Sequence, residues 1–341
     1  MMPIALPPNV DPHFYRGGSR LAELRGFRSE TEFGPEDWLA STVHRAGTPA
    51  IGRSRLADGR LFADVVAADP AGWLGDAAGG PNGPSDTGIL VKLLDADQRL
   101  PVHVHPDRRF AAGHLHSCYG KTEAWYVLAA DGENAAVWLG FAEAVDPHEL
   151  AAATDAQDSQ WMLCRMNRID ISPGDGILVP AGTAHAIGGG VFVVEVQEPT
   201  DMSIVLEWSI TNSTREQSHL DIGFDLARTA ISHQALTAEA IASLVSPAAP
   251  PGRSPTPIRI LPAVADAFFD MSLLAPPSDT TCAALTGFSV AVILDGAGAM
   301  VGAAGEVSVS RGQALAVPAA FGPWSVTGDV RIVQCRPGPA P

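Results

Sequence analysis

Cysteine is scarce in this chain. The four residues, Cys118, Cys164, Cys282 and Cys335, are far apart and form no CxxC pair. Such spacing offers neither a disulfide framework nor a thiolate metal site. Basic residues are also in short supply, 22 Lys and Arg against 38 Asp and Glu, for a formal net charge of −16. A surface this negative repels phosphate backbones and anionic lipids, so neither nucleic acid nor a membrane surface is an expected partner. Long apolar runs are missing too. The nearest approach to the roughly 18 residues of a membrane span is the short, glycine-rich stretch 290–305, and residues 1–10 lack the charged and apolar regions of a secretory signal. A cytoplasmic protein is the expectation.

What the chain does have is length and turns. At roughly 100–200 residues per domain, 341 residues suggest two domains, and 34 glycines with 28 prolines suit short strands joined by turns. Apolar runs at 89–94, 125–128, 136–141, 176–179 and 191–197 read as strands. Asp146-Pro147-His148-Glu149 opens a helix, with Asp146 as cap and proline in the first turn. A helical period follows from about 219 to 245, with a restart at Thr237, and then the proline-rich connection 246–257. Strand-like runs return at 268–274, 288–294, 306–310, 314–317 and 330–334. Residues 173–181 and 311–319 share a Gly-…-Val-Pro-Ala pattern, a faint internal repeat. The expected fold is mainly β, with two related β-barrel domains and helical segments between and before them. The expected boundaries are an N-terminal segment 1–87 completing the first barrel, a first barrel 88–210, a helical segment 211–250 and a second barrel 251–341.

Chemistry concentrates in the first barrel. His103 and His105 stand two apart in Leu100-Pro101-Val102-His103-Val104-His105-Pro106. On a strand they share one face, about 6.6 Å apart, so two imidazoles can converge on one ion. Gly174 to His185 carries the pattern G-x5-P-x-G-x2-H, a tight Gly/Pro turn that delivers His185 just beyond it. That spacing resembles the second consensus motif of the cupin barrel, whose expected partner is an upstream HxH. Glu123 opens an apolar strand, where an unpaired carboxylate is costly to bury. Three imidazoles and one carboxylate suit zinc, manganese or iron, and this donor set does not choose among them. Glu195 lies in an apolar strand, either as a carboxylate bonded to backbone at the core edge or as a general base. His114, His116, His148, His219 and His233 read as surface or helix histidines.

Ile89 to Ala96, Val104-His105-Pro106-Asp107, Gly120-Lys121-Thr122-Glu123 and Pro180 to Ile187 follow one another in an order that resembles the type I phosphomannose isomerases. The resemblance covers roughly residues 35–335. It implies a double-cupin chain holding one divalent metal, most simply zinc, with His103, His105, Glu123 and His185 as ligands and Lys121 facing a sugar. The implied reaction is aldose–ketose isomerisation, mannose 6-phosphate to fructose 6-phosphate or a related sugar, through an enediol(ate), with a small-molecule sugar or sugar phosphate as partner. Two positions depart from the family. His103 stands where glutamine is usual, and Val205 falls near the place of an active-site arginine, with Thr200-Asp201 replacing a Ser-Asp pair. Arg215 is the candidate to supply that guanidinium. Two other readings stay open: a sugar-binding cupin that kept the metal without catalysis, and an iron-dependent cupin oxygenase. The second barrel has no matching histidines and is expected to hold no metal.

Overall fold

The computed structural model describes residues 1–132, 135–249 and 252–341. The apolar runs form strands, in two barrels. The first is built from two facing sheets. One runs in the order Val245–Ser246, Gly176–Val179, Glu123–Ala130, Val191–Gln197, Leu90–Ala96 and Glu36–Leu39. The other runs Ile204–Val205, His103–Val104, His185–Ile187, Ala136–Phe141 and Met166–Asp170. Trp125 of the first sheet meets His185 of the second across the interior, ring centroids 5.8 Å apart. Leu90–Ala96 and Val191–Gln197 are buried at every position. That burial explains why their sequences read as continuous apolar runs rather than alternating ones.

The second barrel is an eight-stranded antiparallel sheet in which Ser289–Gly302 and Trp324–Pro337 pair along most of their length. One continuous apolar core joins the barrels, from Leu93 and Val194 of the first to Met271 and Val290 of the second. The expected helix over Pro147–Ala156 forms, and Asp146 accepts from the backbone N–H groups of His148 and Glu149. The stretch 219–245 is more broken than its period suggests. It holds Phe224–Ala227 and a 3₁₀ turn at Arg228–Ala230, and only then the helix Ala238–Leu244, capped by Thr237. The expected boundary at 250/251 lies outside the described residues. No helix among the described residues is long and apolar enough to cross a membrane.

The N-terminal segment contributes a strand to each barrel. Ile4–Ala5 pairs with Ala314–Val317, and Glu36–Leu39 pairs with Leu90–Ala96. Between those strands lies the helix Arg20–Arg25, whose last residue ties the parts together. Arg25 Nε donates to Asp37 Oδ2 at 2.7 Å, Nη1 to the carbonyl of Gly312 and Nη2 to that of Leu6. Both charged side chains are almost wholly buried. Removing one member of such a pair strands the other in low dielectric, at a cost of about 3–5 kcal/mol. Arg25→Ala should therefore lose that much stability, measured as a fall in the urea midpoint at unchanged slope. A midpoint shift worth under about 1 kcal/mol would contradict it.

Candidate functional site

His103, His105, Glu123 and His185 come together. One ligand atom from each lies within 4.8 Å of all the others, and all four residues are buried. The register explains the meeting. His103 and His185 are direct antiparallel partners on one sheet, and Glu123 starts a strand of the facing sheet opposite Val179. His105 follows two residues after His103, and its carbonyl accepts from Gly182 N–H at 2.7 Å, which locks the Gly/Pro turn onto the HxH segment. Gly182 sits at φ +82°, a backbone state that suits glycine. Gly120 has no room for a side chain either, because a Cβ there would lie 2.7 Å from backbone atoms of Pro106, Asp107 and Arg108.

The three rings are held alike. His103 Nδ1 is 2.8 Å from the carbonyl of Pro101, His105 Nδ1 2.8 Å from that of Met202, and His185 Nδ1 2.8 Å from that of Thr183. A carbonyl only accepts, so each Nδ1 carries the proton and each Nε2 presents a lone pair to the centre. Burial, then the neighbouring rings, holds His103 well below the ordinary histidine range. Burial and the Lys121 ammonium push His105 down to about 3. For Glu123, burial acts upward, but Lys121 and His105 outweigh it and the carboxyl stays ionised well below its usual range. Electron-pair donors are thus crowded against one another, with Glu123 Oε2 only 2.9 Å from His105 Nε2. His185 Nε2 and Glu123 Oε2 are buried without a hydrogen-bond partner. Such groups are stable together only around a cation, and three imidazole nitrogens with one carboxylate suit a divalent metal ion.

Lys121 joins this group, its Nζ 2.8 Å from His105 Nε2 and 3.1 Å from Glu123 Oε2. It precedes the strand, and its loop is held by Glu198, which accepts from Thr122 N–H at 2.8 Å and from Arg108 Nε at 2.6 Å. Glu195 lies on the same cavity wall. Its Oε1 is 3.3 Å from Lys92 Nζ rather than bonded to backbone, and burial lifts its carboxyl to about 7 against the pull of Lys92. Arg215 does not join them. It does not line the cavity, and its Nη2 is 3.2 Å from Asp155 on the surface. Val205 does line the cavity, buried and directly across from His103.

Other residues around the site were not proposed from sequence. Trp38 and Lys92 join the expected Glu195, with Trp125, in one row of cross-strand partners across four strands. Lys92 bridges Glu195 and Glu36, 3.3 Å from each, and Glu36 also accepts from Tyr15 Oη and from Trp38 Nε1. The signal for Lys92 was present, since a lysine inside a fully buried strand is an anomaly that needs partners. His13, Tyr15 and Arg45 enter from loops of the N-terminal segment. His13, Tyr15, Glu36, Arg45, Lys92 and Glu195 line a cavity of about 470 Å³ that reaches the His/Glu cluster.

No protein-family model matches the chain. The mannose-6-phosphate isomerase of Streptococcus mutans is 34% identical over 185 residues, 54% of this chain and 54% of that protein. Bacillus subtilis ManA, named mannose-6-phosphate isomerase, is 37% identical over 113 residues, 33% of this chain and 34% of that one. The chain thus spans about half or less of the length of these curated relatives. Among solved structures, a mannose 6-phosphate isomerase from Bacillus subtilis superimposes with a TM-score of 0.75 at 21% identity, over 98% of this chain and 100% of that one. A mannose 6-phosphate isomerase solved with zinc and yttrium gives 0.71 at 15% identity, over 99% and 100%. The chain is thus similar over a sequence segment to the mannose-6-phosphate isomerases of the first group and shares the whole fold of the second.

Proposed function

We propose that this protein is a metal-dependent aldose–ketose isomerase acting on mannose 6-phosphate and fructose 6-phosphate, with zinc as its resident ion. One observation carries the reading. A cluster of three Nε2 lone pairs and a carboxylate shares a cavity with a buried lysine and with a carboxylate whose pKa lies near neutrality. The sequence likeness to mannose-6-phosphate isomerases and the shared fold of a neighbour solved with zinc support it.

His103, His105, Glu123 and His185 would hold the ion. When bound, it would supply Lewis acidity to sugar oxygens at the reacting end. The protein's own groups supply the rest. Glu195 is the base. Its carboxylate removes the proton from C2, the electron pair enters the C1–C2 bond, and O1 takes up the negative charge. The same acid then returns the proton to C1 while O2 becomes the carbonyl and its hydroxyl proton passes to O1. A base with pKa near 7 suits both directions, since it takes and gives the proton with little bias. Lys121 places a buried ammonium where the oxyanion develops, a position worth far more in a dry cavity than in water. Lys92 positions Glu195 and keeps part of its population ionised. The apolar wall of Leu94, Leu100, Ile187 and Val205 excludes water from the intermediate.

Elemental analysis should find about one zinc per chain, and His185→Ala, which removes one ligand of a four-ligand site, should retain less than about a tenth of it. That variant should also lose on the order of 10³ in kcat/KM, and zinc bound at full occupancy in it would overturn the ligand assignment. Glu195 must be ionised to act, so kcat/KM should rise with pH through about 7. Lys92→Met withdraws the cation that favours the carboxylate, so the rise should move to higher pH. A pH profile identical in the Lys92 variant would rule out Glu195 as the base.

A further inference from the structure

The cavity wall contributed by the N-terminal segment contains polar atoms that no other described residue satisfies. His13 is buried and lines the cavity, its Nε2 3.4 Å from Glu36 Oε1 and its Nδ1 without any partner. With Nε2–H turned to that carboxylate, Nδ1 is left as a bare acceptor. Arg45 lines the same wall. Its Nη1 donates to the carbonyl of Pro12, while its Nε is buried and unpartnered.

Among the three cations that line the cavity, Arg45 alone has no carboxylate within ion-pair distance among the described residues. Lys92 lies between Glu36 and Glu195, and Lys121 is held by Glu123. The two acids near Arg45 are engaged elsewhere. Glu36 is bound to Lys92, Tyr15 and Trp38, and Asp201 accepts from Ala46 N–H at 3.0 Å. That last bond also fixes the loop, which closes on itself through Arg45 N–H to the Ile51 carbonyl and Thr48 N–H to the Arg45 carbonyl, both 3.0 Å. The guanidinium is further carried over the Trp38 ring, 5.6 Å from its centroid. A placed, unpaired guanidinium in a cavity is a recognition group for a phosphoryl oxygen fork.

We propose that Arg45 is the anion-reading residue of this site. It takes the phosphoryl group of a sugar phosphate whose carbonyl end lies at the His/Glu cluster, and His13 Nδ1 accepts from a sugar hydroxyl beside it. The proposal rests on the isomerase reading and adds to it the residue that selects a phosphorylated over a free sugar. It also accounts for Val205, because the cation comes from the loop after Glu36–Leu39 and not from the strand beside His103.

The test measures isomerisation of mannose 6-phosphate and of free mannose by Arg45→Gln and Arg45→Lys, with calorimetry of inorganic phosphate on the same proteins. In Arg45→Gln the ratio of kcat/KM for mannose 6-phosphate to that for free mannose should fall at least about 30-fold, the loss carried by KM. Phosphate affinity should fall at least about tenfold, and Arg45→Lys should recover part of both. Equal losses on the two sugars, or phosphate binding within twofold of the parent, would overturn the assignment. A parent chain that binds phosphate through Arg45 but converts no sugar removes the isomerase reading and leaves the anion subsite standing. A parent that converts the phosphorylated sugar with undiminished selectivity in Arg45→Gln does the reverse.

Discussion

Three hydrogen bonds from imidazole Nδ1 to main-chain carbonyls determine what this cavity can be. A neutral imidazole has one N–H, and a carbonyl two residues back on an extended chain reaches it for His103 and His185, while Met202 does the same for His105. With the proton fixed there, three lone pairs must point at the same few cubic ångströms. Were the tautomers reversed, three N–H groups would face one another and only an anion could settle among them. The backbone thereby decides the sign of the guest before any side chain is considered.

The same cavity treats two glutamates differently. Glu123 faces an ammonium and an imidazole and stays charged, whereas Glu195 shares its lysine with Glu36 and titrates near neutrality. Neither state is a property of glutamate as such. Each follows from how many cations the neighbouring strands bring to it, and separating two carboxyls in this way lets one bind while the other exchanges protons. Tyr15 and Trp38 complete the arrangement by donating to Glu36, so the shared lysine does not have to neutralise that carboxylate alone.

Much of the metal cluster was legible because its logic is local. An HxH on a strand shares a face, and a Gly/Pro turn delivers a histidine at a fixed offset. The helix at Pro147–Ala156 was legible for a similar reason, since its cap and first-turn proline stand side by side. The Trp38–Lys92–Glu195–Trp125 row was not, because it exists only once the register of four strands is known. Arg215 shows how fine the margin is in irregular chain. Ser213 and Gln217 line the cavity, yet Arg215 between them turns to Asp155, a choice made by short 3₁₀ turns that leave no periodic trace. Arg45 arrives on a loop whose path depends on Asp201, 155 positions away from Ala46 in the chain, and His13 on one held through its N–H to the Phe33 carbonyl.

The early strand Ile4–Ala5 finds its partner in Ala314–Val317, and Arg25 finds one of its acceptors in Gly312. A ribosome releases the first of these long before the second exists. The loop carrying His13 lies between Ile4 and the strand Glu36–Leu39, which docks on Leu90–Ala96, so during translation it remains tethered at one end only. The metal-binding half can close around its histidines while the nascent chain is still growing. The stretch of cavity wall that carries His13 is tied down at both ends only when the last barrel has been delivered, which makes its completion a late event in the birth of the molecule.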